Sequence, residues 1–420
     1  MSQTDSGAAA DQPGVLIEHL FRRHAGKMVS HLTRLLGPAH LSIAEEAVQD
    51  SMLRAISSWP YDGIPRNPEG WLFRVAHNSA IDALRHRRMA GSKSAELTAE
   101  LRRAASHPVL EQTFRDDELS LIFMCCHPAI PPDSRIALSL KTACGFSVRE
   151  VARALLAAED AIAQRIVRAK KQIRDQRLSI EMPSGHDLEE RIDSVLAVIY
   201  SMFNEGYSAH EGEDLIRLEL CREALRLGLL IASSEWGRPK VHALVALMAL
   251  QTARIRARVD EAGDLVLLDD QDPTQWDHQL IALGFHHFDR AIGGADVSRY
   301  HIESAIAVHH AQPATDWRAI LELYDQLLEL DPGSAVVRLN RAVAVARVDG
   351  ATAALAAIEP LSRDRSLAGY HLREAVRAHF LMETGEKEEA ASAFRAALAC
   401  RCSMPERRFL ERKLQQCLSG

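Results

Sequence analysis

Apolar residues recur at intervals of three and four along most of this chain, with polar and charged positions between them, which predicts amphipathic helices rather than alternating strands. The pattern breaks in two places. A polar stretch rich in Ala and Ser, Ala90 to His107, follows a first helical block over Gly14 to Met89. The run Leu178 to Gly185, with Pro183, Ser184 and Gly185 in succession, closes a second block over Phe114 to Arg177, because Pro and Gly both interrupt helices. Beyond it the helical period resumes. The expected organisation is all-α: a domain over 14–90, a linker over 91–112, a second domain over 113–178 and a helical extension over 186–420.

Two local patterns carry candidate chemistry. In the second block Gly145-Phe146-Ser147 ends one helix and starts another, with Ser147 and Glu150 spaced as a capping box. A short helix from Val148 to Leu156 follows, then a turn over Ala157 to Glu159, then a helix from Ala161 to about Arg177 with Asp160 as its cap. Ile162, Ile166, Ala169 and Ile173 form its apolar face. Ala161, Gln164, Arg165, Arg168 and Lys171 lie on the other, with Arg174 beyond them, which is the layout of a helix-turn-helix whose second helix enters the major groove. A short helix, a tight turn and a solvated basic helix also occur together in proteins that never meet DNA.

In the first block Ala44 to Ala55 reads as a helix packed through Ala47, Val48, Leu53 and Ala55, with Glu46, Gln49 and Asp50 polar and partly exposed. A loop containing Trp59-Pro60 and Pro65 to Pro68 precedes a second helix that opens near Pro68-Glu69. On that helix Trp71, Arg74, Asn78, Asp82 and Arg85 share one face. A stacking ring, cations and an amide on one stripe suit an unstacked single strand. Taken singly, Trp71 is equally a core aromatic and Asp82 a surface partner of Arg85.

Composition and charge narrow the class. With 47% hydrophobic and 25% charged residues in 420, the chain suits a globular protein of two or three domains. It has no apolar run long enough for a bilayer and no secretory signal over Met1 to Gln12, so a cytoplasmic location without membrane contact is expected. Seven irregularly placed cysteines predict thiols. The net charge of −7 hides a division: residues 1–180 hold 24 Lys and Arg against 20 Asp and Glu, the remainder 26 against 37. Only the front half suits a polyanionic partner.

The extension shows a repeat. Gly350 and Gly385 lie 35 residues apart and Ala342 and Ala378 lie 36 apart, close to the tetratricopeptide period, from about Trp317 onward. An enzyme can be assembled on paper from His286-His287, His309-His310, Asp269, Asp270 and Asp272, but neither their spacing nor a glycine-rich phosphate loop supports one, and Trp276, His278 and His286 are accounted for by packing. Cys125-Cys126-His127-Pro128 lacks the spaced pairs of a zinc site and reads as buried thiols before a helix stop. No catalytic residue, metal or cofactor is expected.

Three ordered motifs together, Glu45 to Asp50, Trp71 to Asn78 with Asp82 and Arg85, and Ser147 to Lys171, resemble the extracytoplasmic-function type of bacterial sigma factor. With Cys125 to Pro128, Tyr200-Ser201-Met202-Phe203-Asn204-Glu205-Gly206-Tyr207 and the repeats, the likeness extends to the subgroup carrying a helical extension. Typical members end soon after the helix-turn-helix, whereas this chain continues to residue 420. The resemblance implies that Glu46, Gln49 and Asp50 contact core RNA polymerase. It implies that Trp71, Arg74, Asn78, Asp82 and Arg85, with the loop Ser57 to Asn67, capture a melting −10 promoter element with one base extruded. It also implies that Ala161, Gln164, Arg165, Arg168 and Lys171 read a −35 duplex, and that the extension regulates activity by docking on the sigma domains or on polymerase. A helical protein-interaction scaffold, or a metal-dependent enzyme with vestigial DNA-binding domains, is the alternative reading.

Overall fold

The computed structural model describes residues 13–88, 111–155, 157–183, 186–207, 217–293, 296–312 and 314–419. Among these residues the chain is all-helical, with two isolated bridges, Val259 to Leu265 and Tyr370 to Arg401, and no strand. Most of the expected linker at 91–112 lies outside the described residues. No described helix is long and apolar enough to cross a membrane. The chain divides into two compact units, residues 1–198 and 199–420, with the division inside one helix, His186–Tyr207.

The first unit begins with α1 (Pro13–Leu36), α2 (Leu41–Asp62) and α3 (Pro68–Arg88), which pack on one another. Leu32, Ile43, Ala44, Leu72 and Ala76 are almost wholly buried between them. It continues with α4 (Glu111–Cys125), α5 (Pro132–Thr142), α6 (Val148–Ala154) and α7 (Glu159–Asp175). The loop expected around Trp59-Pro60 is instead the last turn of α2: Pro60 sits inside the helix, and Gly63, at φ 84°, donates to the Trp59 carbonyl and ends it. Proline lacks an N–H, so this last turn forgoes the hydrogen bond that position 60 would otherwise give the Ile56 carbonyl. The left-handed conformation at Gly63 then needs no Cβ.

Buried charge joins the two halves of this unit. Glu45 on α2 is 8% exposed; it accepts from Thr142 Oγ1 at 2.8 Å and ion-pairs with Lys170 on α7. Asp117 on α4 is fully buried and pairs with His31 at 2.6 Å and Arg34 at 2.9 Å, both on α1. Gly26 on α1 meets the backbone of Ala143 so closely that an added Cβ would lie 1.8 Å from the Ala143 carbonyl oxygen. Each carboxylate left without its partner would carry the full penalty of burying a charge.

The second unit is a succession of helices: α8 (His186–Tyr207) contributes its last turns, followed by α9 (Leu218–Ala232), α10 (Pro239–Ala253), α11 (His278–Ala291) and α12 (Arg299–His310). Every residue of α10 from Val241 to Leu250 is buried, as a helix apolar all round must be. The Tyr200 to Tyr207 segment is used in packing: Tyr200 meets Tyr300 edge-on at 5.4 Å, and Arg258 lies 4.0 Å above the Tyr207 ring. His242 and His287 face each other across α10 and α11 with their Nδ1 atoms 2.8 Å apart. Burial, then neighbouring positive charge, lowers both imidazoles, His287 to about 4. At pH 7 both are neutral and one donates to the other.

The array continues through α13 (Trp317–Leu330), α14 (Ala335–Asp349), α15 (Ala351–Ile358), α16 (His371–Glu383), α17 (Lys387–Ala399) and α18 (Met404–Ser419). The turns joining α14 to α15 and α16 to α17 each contain a left-handed glycine, Gly350 at φ 89° and Gly385 at φ 87°. The recurrent small residues Ala342 and Ala378 are both fully buried, which allows the helices to approach closely.

Two outcomes follow. Lys170→Met should strip Glu45 of its cation and lower stability by about 3 kcal/mol in urea unfolding, whereas Glu45→Leu with Lys170→Met should recover most of it; a double variant as unstable as the single would contradict this account. Because the folded state holds His287 below its ordinary 6.5, the unfolded chain takes up protons first as the pH falls from about 6.5 to about 4. Stability should decline through that window, and His287→Phe should flatten the decline.

Candidate nucleic-acid interface

The buried side of α7 consists of Ile162, Ile166, Ala169 and Ile173, the apolar positions its period predicts. It leaves Gln164, Arg168 and Lys171 exposed, while Ala161 and Arg165 are half-buried. Arg165 reaches Asp133 of α5 at 3.9 Å, and Arg168 Nε donates to the Gln164 carbonyl of its own helix at 3.3 Å. The capping box on α6 is present in full: the Ser147 N–H donates to Glu150 Oε2 at 2.7 Å, and the Glu150 N–H to Ser147 Oγ at 3.1 Å. The cap expected of Asp160 is not formed. The helix starts two residues earlier, with Ala158 as its N-cap and no side-chain hydrogen bond there, so Asp160 joins Glu159 in the first turn and favours the positive end of the helix dipole.

On α3 the stripe is also assembled. Arg74, Asn78, Asp82 and Arg85 are exposed along one face, and Arg85 stands 3.6 Å from Asp82. Trp71 is half-buried and meets the buried Trp59 edge-on at 5.5 Å, so one side of its ring packs on the core. Asn67 caps the helix through the Gly70 N–H at 2.9 Å. Of the loop expected over Ser57 to Asn67, residues 57–62 are helical and only the part after Asp62 is irregular.

Along α2, Glu46 and Gln49 are exposed and Asp50 is half-buried, accepting from Ser79 Oγ at 2.9 Å and pairing with Arg54 at 3.0 Å. The same face carries two large apolar residues, one of which the sequence pattern misplaces. Leu53, expected to pack inward, is 64% exposed, and Ile56 is 53% exposed. They stand seven residues beyond Glu46 and Gln49, two helical turns along the same stripe. Val167 on α7, 65% exposed and flanked by Gln164 and Lys171, is a third outward apolar side chain. The signal that could have found them is that register: each sits where the period puts polar neighbours.

Residues 20–89 match the family model of sigma-70 region 2, and residues 120–173 that of sigma-70 region 4. The extracytoplasmic-function RNA polymerase sigma factor SigE of Mycolicibacterium smegmatis is 30% identical over 160 residues, 38% of this chain and 60% of that protein. SigM of Mycobacterium tuberculosis (strain H37Rv), of the same type, is 29% identical over 159 residues, 37% of this chain and 74% of its own length. The chain belongs to the extracytoplasmic-function sigma-70 family.

This sigma factor carries its extension as part of a wider pattern. An uncharacterized protein of Rhizobium meliloti (strain 1021), R00370, is 39% identical over 383 residues, 89% of this chain and 90% of that one. Residues 191–292 match a family of unknown function, DUF6596. No solved structure matches the chain. Region 2 of the sigma factor thus covers most of α1 and all of α2 and α3, and region 4 the last turns of α4, all of α5 and α6, and α7 as far as Ile173.

The caps give a contrast. Ser147→Ala should cost about 1 kcal/mol, whereas Asp160→Ala, which removes only a first-turn charge, should cost about 0.5 kcal/mol. Chemical denaturation of the two variants ranks them, and equal losses would contradict the assignment of caps.

Proposed function

We propose that this protein binds core RNA polymerase through the exposed face of α2 and directs it to promoters read by α3 and α7. The observation that carries the reading is the solvent-facing pair Leu53 and Ile56 beside Glu46 and Gln49. Two large aliphatic side chains left outside a well-packed three-helix core, in line with polar groups, suit a protein partner better than water. Asp50, held by Ser79 and Arg54, belongs to the edge of that face, where it orients its neighbours rather than reaching out.

On α3 the proposed −10 contacts are Trp71, Arg74, Asn78, Asp82 and Arg85, with cations toward the backbone and the amide toward a base edge. Region 4 would read the −35 duplex through Gln164 and Arg165, with Arg168 and Lys171 on phosphates. Ala161 marks the start of this face, and Val167 is suited to a thymine methyl. The domains proposed for these tasks are residues 14–90 and 113–178, on either side of the tether at 91–112. The extension from 186 onward is proposed to regulate activity by docking on the sigma domains or on polymerase, from the cytoplasm where polymerase works. Its excess of acidic residues disfavours contact with DNA itself.

Pull-down with purified core polymerase tests the central claim. Leu53→Glu and Ile56→Glu replace exposed groups and should leave stability within about 0.5 kcal/mol, yet reduce the recovered complex and run-off transcription at least about tenfold. Retention equal to that of the unaltered protein would exclude α2 as the docking helix.

A further inference from the structure

The second unit contains a cavity of about 600 Å³, within the range of small-molecule sites. Residues from α12, α13, α14, α16, α17 and α18 line it, and the segment from Leu265 to Asp269 forms one lip. That lip is tied down twice: Asp269 pairs with Arg347 of α14, and Asp264 with Arg408 and Arg412 of α18. The lining is mostly apolar and rich in rings, among them Trp317, Tyr324, Phe380, Phe394 and Phe409. Open space bordered by so many rings forfeits the packing those rings would otherwise gain, unless something else fills it.

The charged groups in the wall are not equivalent. Asp269 is neutralised by Arg347, whose guanidinium also lies 5.2 Å above Trp317. Glu383 stands 3.3 Å from His379, and Glu406 stands 3.3 Å from His371 and accepts from Ser403. Lys413 is the exception. It is half-buried and lies 5.6 Å above the Phe409 ring, with no carboxylate partner among the described residues. His310, another wall residue, keeps a buried Nδ1 without a hydrogen-bond partner. Burial, followed by nearby positive charge, holds its imidazole down to about 4, so it offers a neutral donor or acceptor rather than a second cation.

We propose that this cavity binds a small aromatic carboxylate, its ring among Trp317, Tyr324, Phe380 and Phe409 and its carboxylate paired with Lys413. Asp269 is already matched by Arg347 and Lys413 has no carboxylate partner among the described residues, so one anionic group on an otherwise apolar ligand gives the ammonium its partner. The partly desolvated ammonium gives a charge-assisted contact, and the rings supply the burial.

The full-length protein, titrated calorimetrically with naphthalene-1-acetate and its neutral amide, tests this without polymerase or DNA. The outcome is therefore independent of the role proposed for α2, α3 and α7. One-to-one binding is expected, with the amide about tenfold weaker. Lys413→Met should weaken the carboxylate about tenfold and leave the amide unchanged. Ala375→Trp, which fills the cavity, should abolish both; if that variant does not fold, Lys413→Met decides. No saturable binding, equal affinity for acid and amide, or a carboxylate affinity unaltered in Lys413→Met would each overturn the proposal.

Discussion

The first unit depends on two buried carboxylates and the side chains that hydrogen-bond and pair with them. Each carboxylate recruits its partners from the other half of the unit: Lys170 and Thr142 for Glu45, His31 and Arg34 for Asp117. Region 2 and region 4 are thereby packed as one body, with the Gly26 backbone pressed on Ala143. Hydrophobic contact alone would tolerate some sliding. Ion pairs with hydrogen-bond geometry fix the register.

Because the inward faces are committed to this packing, the outward faces are the ones available for partners. The same helix α2 that buries Glu45 presents Leu53 and Ile56 to solvent, and α7, which supplies Lys170 to the interior, displays Gln164, Arg168 and Lys171 outside. One helix thus serves cohesion on one side and, on the function proposed above, recognition on the other, with a 3.6-residue period separating the two faces.

What could be read from the chain was whatever depends on near neighbours. The Ser147 and Glu150 box involves groups three residues apart, and the Ile162 to Ile173 face follows from a single helix, so both were legible. The turn over Trp59-Pro60 was misread because tertiary packing of Trp59 on Trp71 overrides the helix-breaking tendency of proline. Leu53 was assigned to the core because an aliphatic residue looks the same in sequence whether it meets its own chain or a partner. Glu45 finds Lys170 across 125 positions, and the cavity gathers residues from Leu265 to Lys413. No periodicity encodes such distances.

The closed packing of region 2 on region 4 has a geometric consequence. A compact body of under 200 residues measures roughly 40 Å across. Promoter elements centred 10 and 35 base pairs upstream lie about 85 Å apart along a straight duplex. The covalent stretch between Arg88 and Glu111 is long enough to span about 83 Å at most, enough for the two regions to part and straddle that length. On the function proposed above, simultaneous engagement of both elements would require Glu45 and Asp117 to exchange their protein partners for water, a rearrangement whose free energy polymerase and DNA would have to supply together.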